Sequence, residues 1–253
     1  MISLKSQNWI LENIDTVLFD KDGTFIDLHY FWGKITEMRV NEIIKRFHLD
    51  QVFFEKLCLI LGYDFKSGKM ISDGITALYS RVKIIEIFNK KLQELGIESS
   101  EEEITEIFDN VSNLFYKDIE KYIRPIDEAI SLIKSLRSNG IKTAVITSDS
   151  VESTQLTLKI YKWENLFDLI IGRESYLETK ESGIPTQKAL SILGANSKTT
   201  IMIGDSPTDY ISAKNAGVER TILVASGQVG SDILKEYSPF VVKSLKELEC
   251  LKI

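Results

Sequence analysis

The stretch Val17-Leu18-Phe19-Asp20-Lys21-Asp22-Gly23-Thr24 constrains this chain more than any other. An apolar run that stops abruptly in two carboxylates one residue apart, followed by Gly-Thr, predicts a buried parallel strand with an acidic C-terminal tip. Open α/β sheets carry their functional groups at such tips. Side chains alternate with period two along a strand, so Asp20 and Asp22 are expected on one side of it, and Lys21 is expected to point elsewhere and stay peripheral. Two carboxylates that close repel each other and need a cation or a shared proton. The plainer reading is an Asp-Gly turn preceded by a solvated Asp. Partners further along the chain weigh against it.

Those partners fall at the ends of two more apolar runs. Ala144-Val145-Ile146 is followed by Thr147-Ser148, and Ile201-Met202-Ile203 by Gly204-Asp205-Ser206-Pro207-Thr208-Asp209, with Lys180 in a polar stretch between them. In this order the set resembles the haloacid dehalogenase-like hydrolase superfamily, especially its phosphatases. The nucleophile motif Asp-x-Asp-Gly-Thr is complete as Asp20 to Thr24, and the acidic motif Gly-Asp-Ser/Thr-x-x-Asp is complete as Gly204 to Asp209. The lysine motif departs from its frequent form, Lys-Pro-x-Pro, and runs Lys180-Glu181-Ser182-Gly183-Ile184-Pro185. The resemblance covers nearly the whole chain in organisation, but residues 28 to 120 only in kind. It implies a mobile flap after the first strand and the entrance to an inserted cap near His29.

The rest of the chain is consistent with that plan. With 253 residues and 43% hydrophobic content, a substantial core can form. A formal charge of −6 argues against a large nucleic-acid footprint, yet leaves room for a small anionic substrate met by a few local cations. Cys58 and Cys250 make neither a disulfide framework nor a thiolate metal set, which points to a reducing compartment. Met1 to Lys5 carry no signal-like apolar segment and no run is long enough to cross a bilayer, so the expectation is a cytoplasmic protein without a membrane partner. The sequence does not speak to an oligomeric partner.

Periodicity then divides the chain. Residues 6 to 13 are expected to form a short lead-in helix. From about 35 to 121 the apolar positions recur at helical spacing: Val40, Ile43, Ile44 and Phe47; then Val52, Phe53, Leu57, Ile60 and Leu61; then Ile75 through Leu95 as one long helix; then Ile104, Ile107, Val111, Leu114 and Phe115 behind a cap at Ser99 or Ser100. Arg124-Pro125 reads as the return hinge. Strands and helices alternate from Ile141 to Ala225, and a final strand at Phe240-Val242 precedes a terminal helix with Leu245 and Leu248. The expected fold is α/β, a Rossmann-like three-layer sandwich with a mostly parallel sheet and an inserted all-helical cap. The expected domains are a discontinuous core of residues 1–28 and 122–253, with a cap of 29–121.

The chemistry follows from the residue types. Asp20 is the candidate nucleophile, able to take a phosphoryl group as an aspartyl phosphate. Asp22 is the candidate acid and base, protonating the leaving oxygen and then accepting a proton from water; its backbone carbonyl is a further metal-ligand candidate. Carboxylate attack on an anionic phosphoryl group needs positive charge, and oxygen ligands without a His or Cys cluster favour Mg2+, with Asp20, Asp22, Asp205 and Asp209 as its candidate ligands. Thr147 and Ser148, at a helix start, and Lys180 are the candidate phosphate-binding residues, with Lys188 expected to face solvent on a helix. A simple helix N-cap, from Ser148, Asp149 or Ser150, is the alternative after Thr147, and a helix N-cap with a first-turn acid the alternative for Asp205 with Asp209. His29 reads as hinge packing, and Arg81 and Lys83 as solvated helix charges. The leading expectation is a Mg2+-dependent phosphatase acting on a small phosphorylated metabolite. A sugar-phosphate mutase, a dehalogenase and a non-catalytic ligand-sensing or interaction protein are the weaker alternatives.

Overall fold

The chain opens with two strands, β1 (Ile2–Lys5) and β2 (Ile10–Ile14), before the buried β3 (Thr16–Phe19). A helical segment follows: α1 (Leu28–Arg46), α2 (Phe53–Ile60), the short strands β4 (Tyr63–Asp64) and β5 (Lys69–Met70), α3 (Ile75–Leu78), α4 (Arg81–Glu94) and α5 (Glu101–Lys117). After Pro125 come α6 (Asp127–Ser138), β6 (Lys142–Ile146), α7 (Val151–Ile160), β7 (Leu169–Ile171), α8 (Ile184–Leu193), β8 (Thr200–Gly204), α9 (Pro207–Asn215), β9 (Thr221–Val224), α10 (Ser231–Leu234), β10 (Phe240–Val242) and β11 (Glu249–Lys252). This is a computed structural model, and it describes residues 1–252. The chain forms two compact units, one from Met1–Asp27 with the chain from Pro125 onward, the other from Leu28–Arg124.

The first unit is built on a six-stranded sheet in the order β10-β9-β8-β3-β6-β7, with every neighbouring pair parallel. β3 lies inside it, so the connections run outward to both sides, and the strand order reverses beside its C-terminal tip. All four residues of β3 are buried because both sheet faces are covered. Leu18, Ala144, Ile146 and Met202 point to one face and pack against Ala189 and Leu190 of α8 and Ala213 of α9. Phe19 points to the other, where Phe167 meets it edge-on at 6.2 Å and also lies 5.3 Å from Phe25. The result is the α/β sandwich expected from the strand rhythm.

Two ends of the chain depart from expectation. β1 pairs antiparallel with both β2 and β11 in a separate three-stranded sheet, where a lead-in helix and a terminal helix were expected. In β2 the register shifts against β1, and Asn13 takes φ 56°, a left-handed bulge residue. The bulge adds a residue between the buried Leu11 and Ile14, which turns strand alternation into a spacing that imitates a helix. Near the C-terminus a single turn at Leu245–Glu247 buries Leu245, after which β1 recruits the chain as a strand.

The second unit is a helical bundle with one hairpin, so its insertion is not wholly helical. β4 and β5 pair through Tyr63↔Met70, and their turn is organised by the Asp64 carboxylate, which accepts from the Lys66 amide at 3.0 Å and the Ser67 hydroxyl at 2.7 Å. The expected single helix from Ile75 to Leu95 breaks at Tyr79 and Ser80, both extended, and Val82 is left exposed while Ile84, Ile85, Phe88 and Leu92 are buried. Among the described residues, no helix is long and apolar enough to cross a membrane.

The cap of α5 is Ser100, the second of the two candidates. Its hydroxyl accepts from the Glu103 amide, and the Glu103 carboxylate accepts in return from the Ser100 amide, each at 3.2 Å. Ser100→Ala should lower unfolding stability by about 1 kcal/mol, and Ser100→Asp, which keeps an acceptor, should retain most of it. Denaturant unfolding of the two variants beside the parent protein measures both.

Candidate active site

Parallel register sets Phe19 level with Val145 of β6 and Ile203 of β8. The residues that follow, Asp20, Ile146-Thr147 and Gly204-Asp205, therefore leave the sheet side by side. The amide of Asp20 donates to the Ile203 carbonyl and that of Thr147 to the Ile171 carbonyl, both at 2.9 Å. Asp20 and Thr147 are thus each fixed by the last rung of a strand ladder.

Carboxylate oxygens of Asp20, Asp205 and Asp209 lie within 4.8 Å of one another, and all three residues are buried. Lys180 reaches this group from a single 3-10 turn, Lys180–Ser182, ahead of α8. Its Nζ stands 2.6 Å from Asp20 Oδ1 and 2.5 Å from Asp209 Oδ1. The turn is held in place by Asn215 of α9, whose side-chain amide donates to the Glu181 carbonyl at 2.7 Å. Lys188 is exposed on α8.

One ammonium beside three carboxylates leaves negative charge uncompensated. Burial pushes the Asp20 carboxyl up to about 7; Lys180 opposes the shift, and the negative charges of Asp209 and Asp22 add to it. Burial also pushes Asp205 well above the carboxylate range, reinforced by Asp20 and Asp209. Lys180 is pushed up from its ordinary value: burial opposes this, but the charges of Asp20 and Asp209 prevail. A set of buried oxygen donors short of positive charge suits a hard divalent cation.

Backbone geometry brings the acids this close. Gly23 has φ +87°, and a Cβ there would collide with the Asp205 carboxylate, so glycine lets the loop after β3 close against it. On the opposite side Gly227 packs as tightly on Asp205, and the next amide, Gln228, donates to Asp205 Oδ2 at 2.8 Å. Asp209 divides its carboxylate between two tasks. Oδ2 accepts from the Asp205 and Ser206 amides at 3.1 and 3.0 Å and from the Ser206 hydroxyl at 2.8 Å, closing a capping box at the start of α9, while Oδ1 meets Lys180.

Asp22 belongs to a second charge cluster. Its Oδ1 lies 2.6 Å from the Nζ of Lys21, which is also 3.0 Å from Asp149 Oδ2. Lys21 is fully buried and joins the loop after β3 to the loop after β6, so the expectation that it is peripheral is corrected. The physical reason is that strand alternation ends with Phe19. Beyond it the chain winds into a tight turn in which the Phe25 and Ile26 amides donate to the Lys21 carbonyl at 3.0 and 3.1 Å. The two aspartates of the motif consequently take different lysines. Burial alone pushes the Asp149 carboxyl up, but the Lys21 charge and local hydrogen bonds outweigh it and hold the group below its ordinary value.

Thr147 is buried at the tip of β6, and its hydroxyl oxygen accepts from the Asp149 amide at 3.0 Å. Ser148 is exposed, and the N-cap of α7 is Ser150, whose hydroxyl accepts from the Ser153 amide at 3.1 Å. Sequence reasoning missed Lys21, Asp149 and Gln228. The first two carried a weak signal, a lysine and an aspartate each just past the tip of neighbouring parallel strands, β3 and β6. Gln228, in an irregular loop after β9, carried none.

Comparison with known proteins agrees with this layout. The model of the family described as haloacid dehalogenase-like hydrolase matches residues 74–224. The pyrophosphatase PpaX of Halalkalibacterium halodurans is 26% identical over 236 residues, which cover 93% of this chain and 95% of that protein. The phosphoglycolate phosphatase of Aquifex aeolicus is 27% identical over 213 residues, 84% of this chain and 85% of its own. A solved structure of a predicted phosphoglycolate phosphatase from Haemophilus somnus superposes with a TM-score of 0.70 over 94% of this chain and 97% of its own, at 16% identity, a likeness of fold.

The raised carboxyl of Asp20 has a consequence for stability. A group whose folded pKa lies above its unfolded value adds stability that is complete below the unfolded value and is lost as pH rises through the folded one. In chelator, the Asp20 contribution should therefore fade between about pH 4 and about pH 7. Asp20→Asn should gain on the parent protein in unfolding free energy across that window, as denaturant titrations at stepped pH measure; a constant difference would contradict the charge assignment.

Proposed function

We infer that this chain, which belongs to the haloacid dehalogenase-like hydrolase family, hydrolyses a small organic phosphate monoester in a Mg2+-dependent reaction through an aspartyl phosphate on Asp20. The observation that carries this reading is the buried Lys180 ammonium bound to both Asp20 and Asp209, with Asp205 alongside, at the tip of a central parallel strand. Such an arrangement concentrates negative charge where an anionic substrate has to arrive, which makes sense only with further cationic help.

Asp20, Asp205 and Asp209 are the side chains that would hold Mg2+, with the Asp22 backbone carbonyl as a further candidate. The ion, when bound, supplies the positive charge that keeps Asp20 ionised and screens it from the phosphoryl oxygens. Lys180 fixes the direction of the Asp20 carboxylate, so that Oδ2 is the oxygen left to attack phosphorus. The Thr147 hydroxyl accepts a backbone proton and keeps its own proton to donate to a phosphoryl oxygen. Ser148, exposed on the same loop, is a second candidate donor.

Asp22 then serves as acid and base. It gives a proton to the leaving alkoxide as the phosphorus–oxygen ester bond breaks and the bond to Asp20 forms. It takes a proton back from water, which attacks phosphorus and releases Asp20 and phosphate. Lys21 anchors Asp22 from below the site, and Asp149 anchors Lys21, so the acid–base group is positioned by a buried chain of charges. The same groups suit a phosphoanhydride, the bond implied by the name of the Halalkalibacterium relative, and inorganic pyrophosphate belongs in the substrate panel beside phosphate monoesters.

Phosphate release from p-nitrophenyl phosphate should require Mg2+ and disappear in Asp20→Asn, with no phosphoenzyme in rapid-quench experiments. Lys180→Ala should lose about 2 to 5 kcal/mol of transition-state stabilisation, roughly 30- to 5,000-fold in kcat/KM. Lys188→Ala, at an exposed position, should stay near the parent value. Ordinary turnover in folded Asp20→Asn would reject the nucleophile.

A further inference from the structure

Among the described residues, the helical unit contains a buried cation that no carboxylate balances. Arg39 of α1 is 7% exposed, and its Nε has no hydrogen-bond partner. Its guanidinium carbon lies 4.3 Å from the centroid of the Phe108 ring on α5, and among the described residues no carboxylate pairs with it. The other two buried cations are different: Lys21 and Lys180 each hold two carboxylates. An arginine cannot shed its proton to relieve burial as a lysine can. A stack on phenylalanine compensates only part of the lost hydration.

A second cation stands close by. Arg81 is the first residue of α4, whose first turn holds no acidic residue and whose N-cap, Ser80, makes no side-chain cap bond. Burial first, and the like charge of Arg81 second, lower the Arg39 pKa to about 10, which still leaves it charged at neutral pH. Arg81 already has a counter-ion, Asp109 at 2.7 Å, on an exposed face. Arg39 is therefore the uncompensated group, beside a positively charged residue at the positive end of a helix.

We propose that Arg39 is the centre of an oxyanion-binding site in the helical unit, receiving a phosphate or carboxylate group in the plane of its guanidinium while Phe108 covers one face. The planar fork of donors matches both groups. The site stands on Arg39, Phe108 and Arg81 and does not depend on the chemistry at Asp20.

The test reads Arg39 directly in the whole chain. In proton–nitrogen spectra its Nε–H resonance is identified by its absence from Arg39→Lys and Arg39→Met. Titration of the parent protein with inorganic phosphate, and separately with malonate, should move that resonance saturably. Arg39→Met, which keeps an apolar side chain on Phe108 and removes the charge, should be at least as thermostable as the parent in buffer free of both anions. Kinetics then separate the two sources of the anion. A KM raised tenfold or more for a phosphorylated carboxylic acid, but not for p-nitrophenyl phosphate, places the oxyanion on the substrate; unchanged KM for both, with a moving resonance, makes it a separate ligand, and either result supports the site. An Arg39 resonance that neither anion moves, or a folded Arg39→Met clearly less stable than the parent, would overturn the proposal and make the arginine a packing element.

Discussion

Repulsion among buried carboxylates is the constraint on which this structure depends. Asp20, Asp205 and Asp209 come from two strand tips and the first turn of a helix, and their oxygens lie within 4.8 Å of one another. No arrangement of like charges is favourable by itself in a medium that screens poorly. The fold holds it in place by rigid means: the last-rung backbone hydrogen bond from Asp20 to Ile203 of β8, a glycine at positive φ closing on Asp205, and a capping box that spends one oxygen of Asp209 on the loop before α9. Lys180 neutralises part of the charge and no more. The remaining deficit makes the edge compatible with a bound cation.

A second lysine solves a separate problem. Lys21 pairs with both Asp22 and Asp149, so the two aspartates of one motif hold different lysines and stand in unlike surroundings. Two carboxylates two residues apart, given different partners, can take different parts in one reaction. This division is what lets Asp20 be proposed as nucleophile and Asp22 as proton carrier. Removing a lysine from either pair strands a buried carboxylate, which is why both lysines are tied to local stability as well as to chemistry.

Much of this was legible in the sequence because strands buried on both faces end sharply. Val17 to Phe19, Ala144 to Ile146 and Ile201 to Ile203 are unbroken apolar runs, and the polar residues after them could go only to a sheet edge. Their order also indicated the α/β sandwich, and the convergence of Asp20, Lys180, Asp205 and Asp209 followed from the motifs. What escaped was decided by long-range pairing or local backbone detail. β2 imitates a helix because Asn13 inserts a bulge, β11 exists because β1 offers it an edge, and Tyr79-Ser80 interrupts a continuous apolar stripe. Lys21 escaped because a rule for strand side chains was extended past the last residue of the strand. Arg39 escaped for a simpler reason: its meaning lies in a missing partner, and absence of a partner is visible only once neighbours are known.

The central claim is that the carboxylate edge is completed by a divalent cation beside Lys180. Calorimetric titration of chelator-treated protein with Mg2+ tests it without reference to any substrate. The account predicts saturable binding in the parent protein and its loss in Asp205→Asn, with the far-ultraviolet circular dichroism unchanged, because Asp205 is the triad member that Lys180 does not reach within ion-pair distance. Equal Mg2+ affinity in parent and variant, or no binding in either, would contradict it.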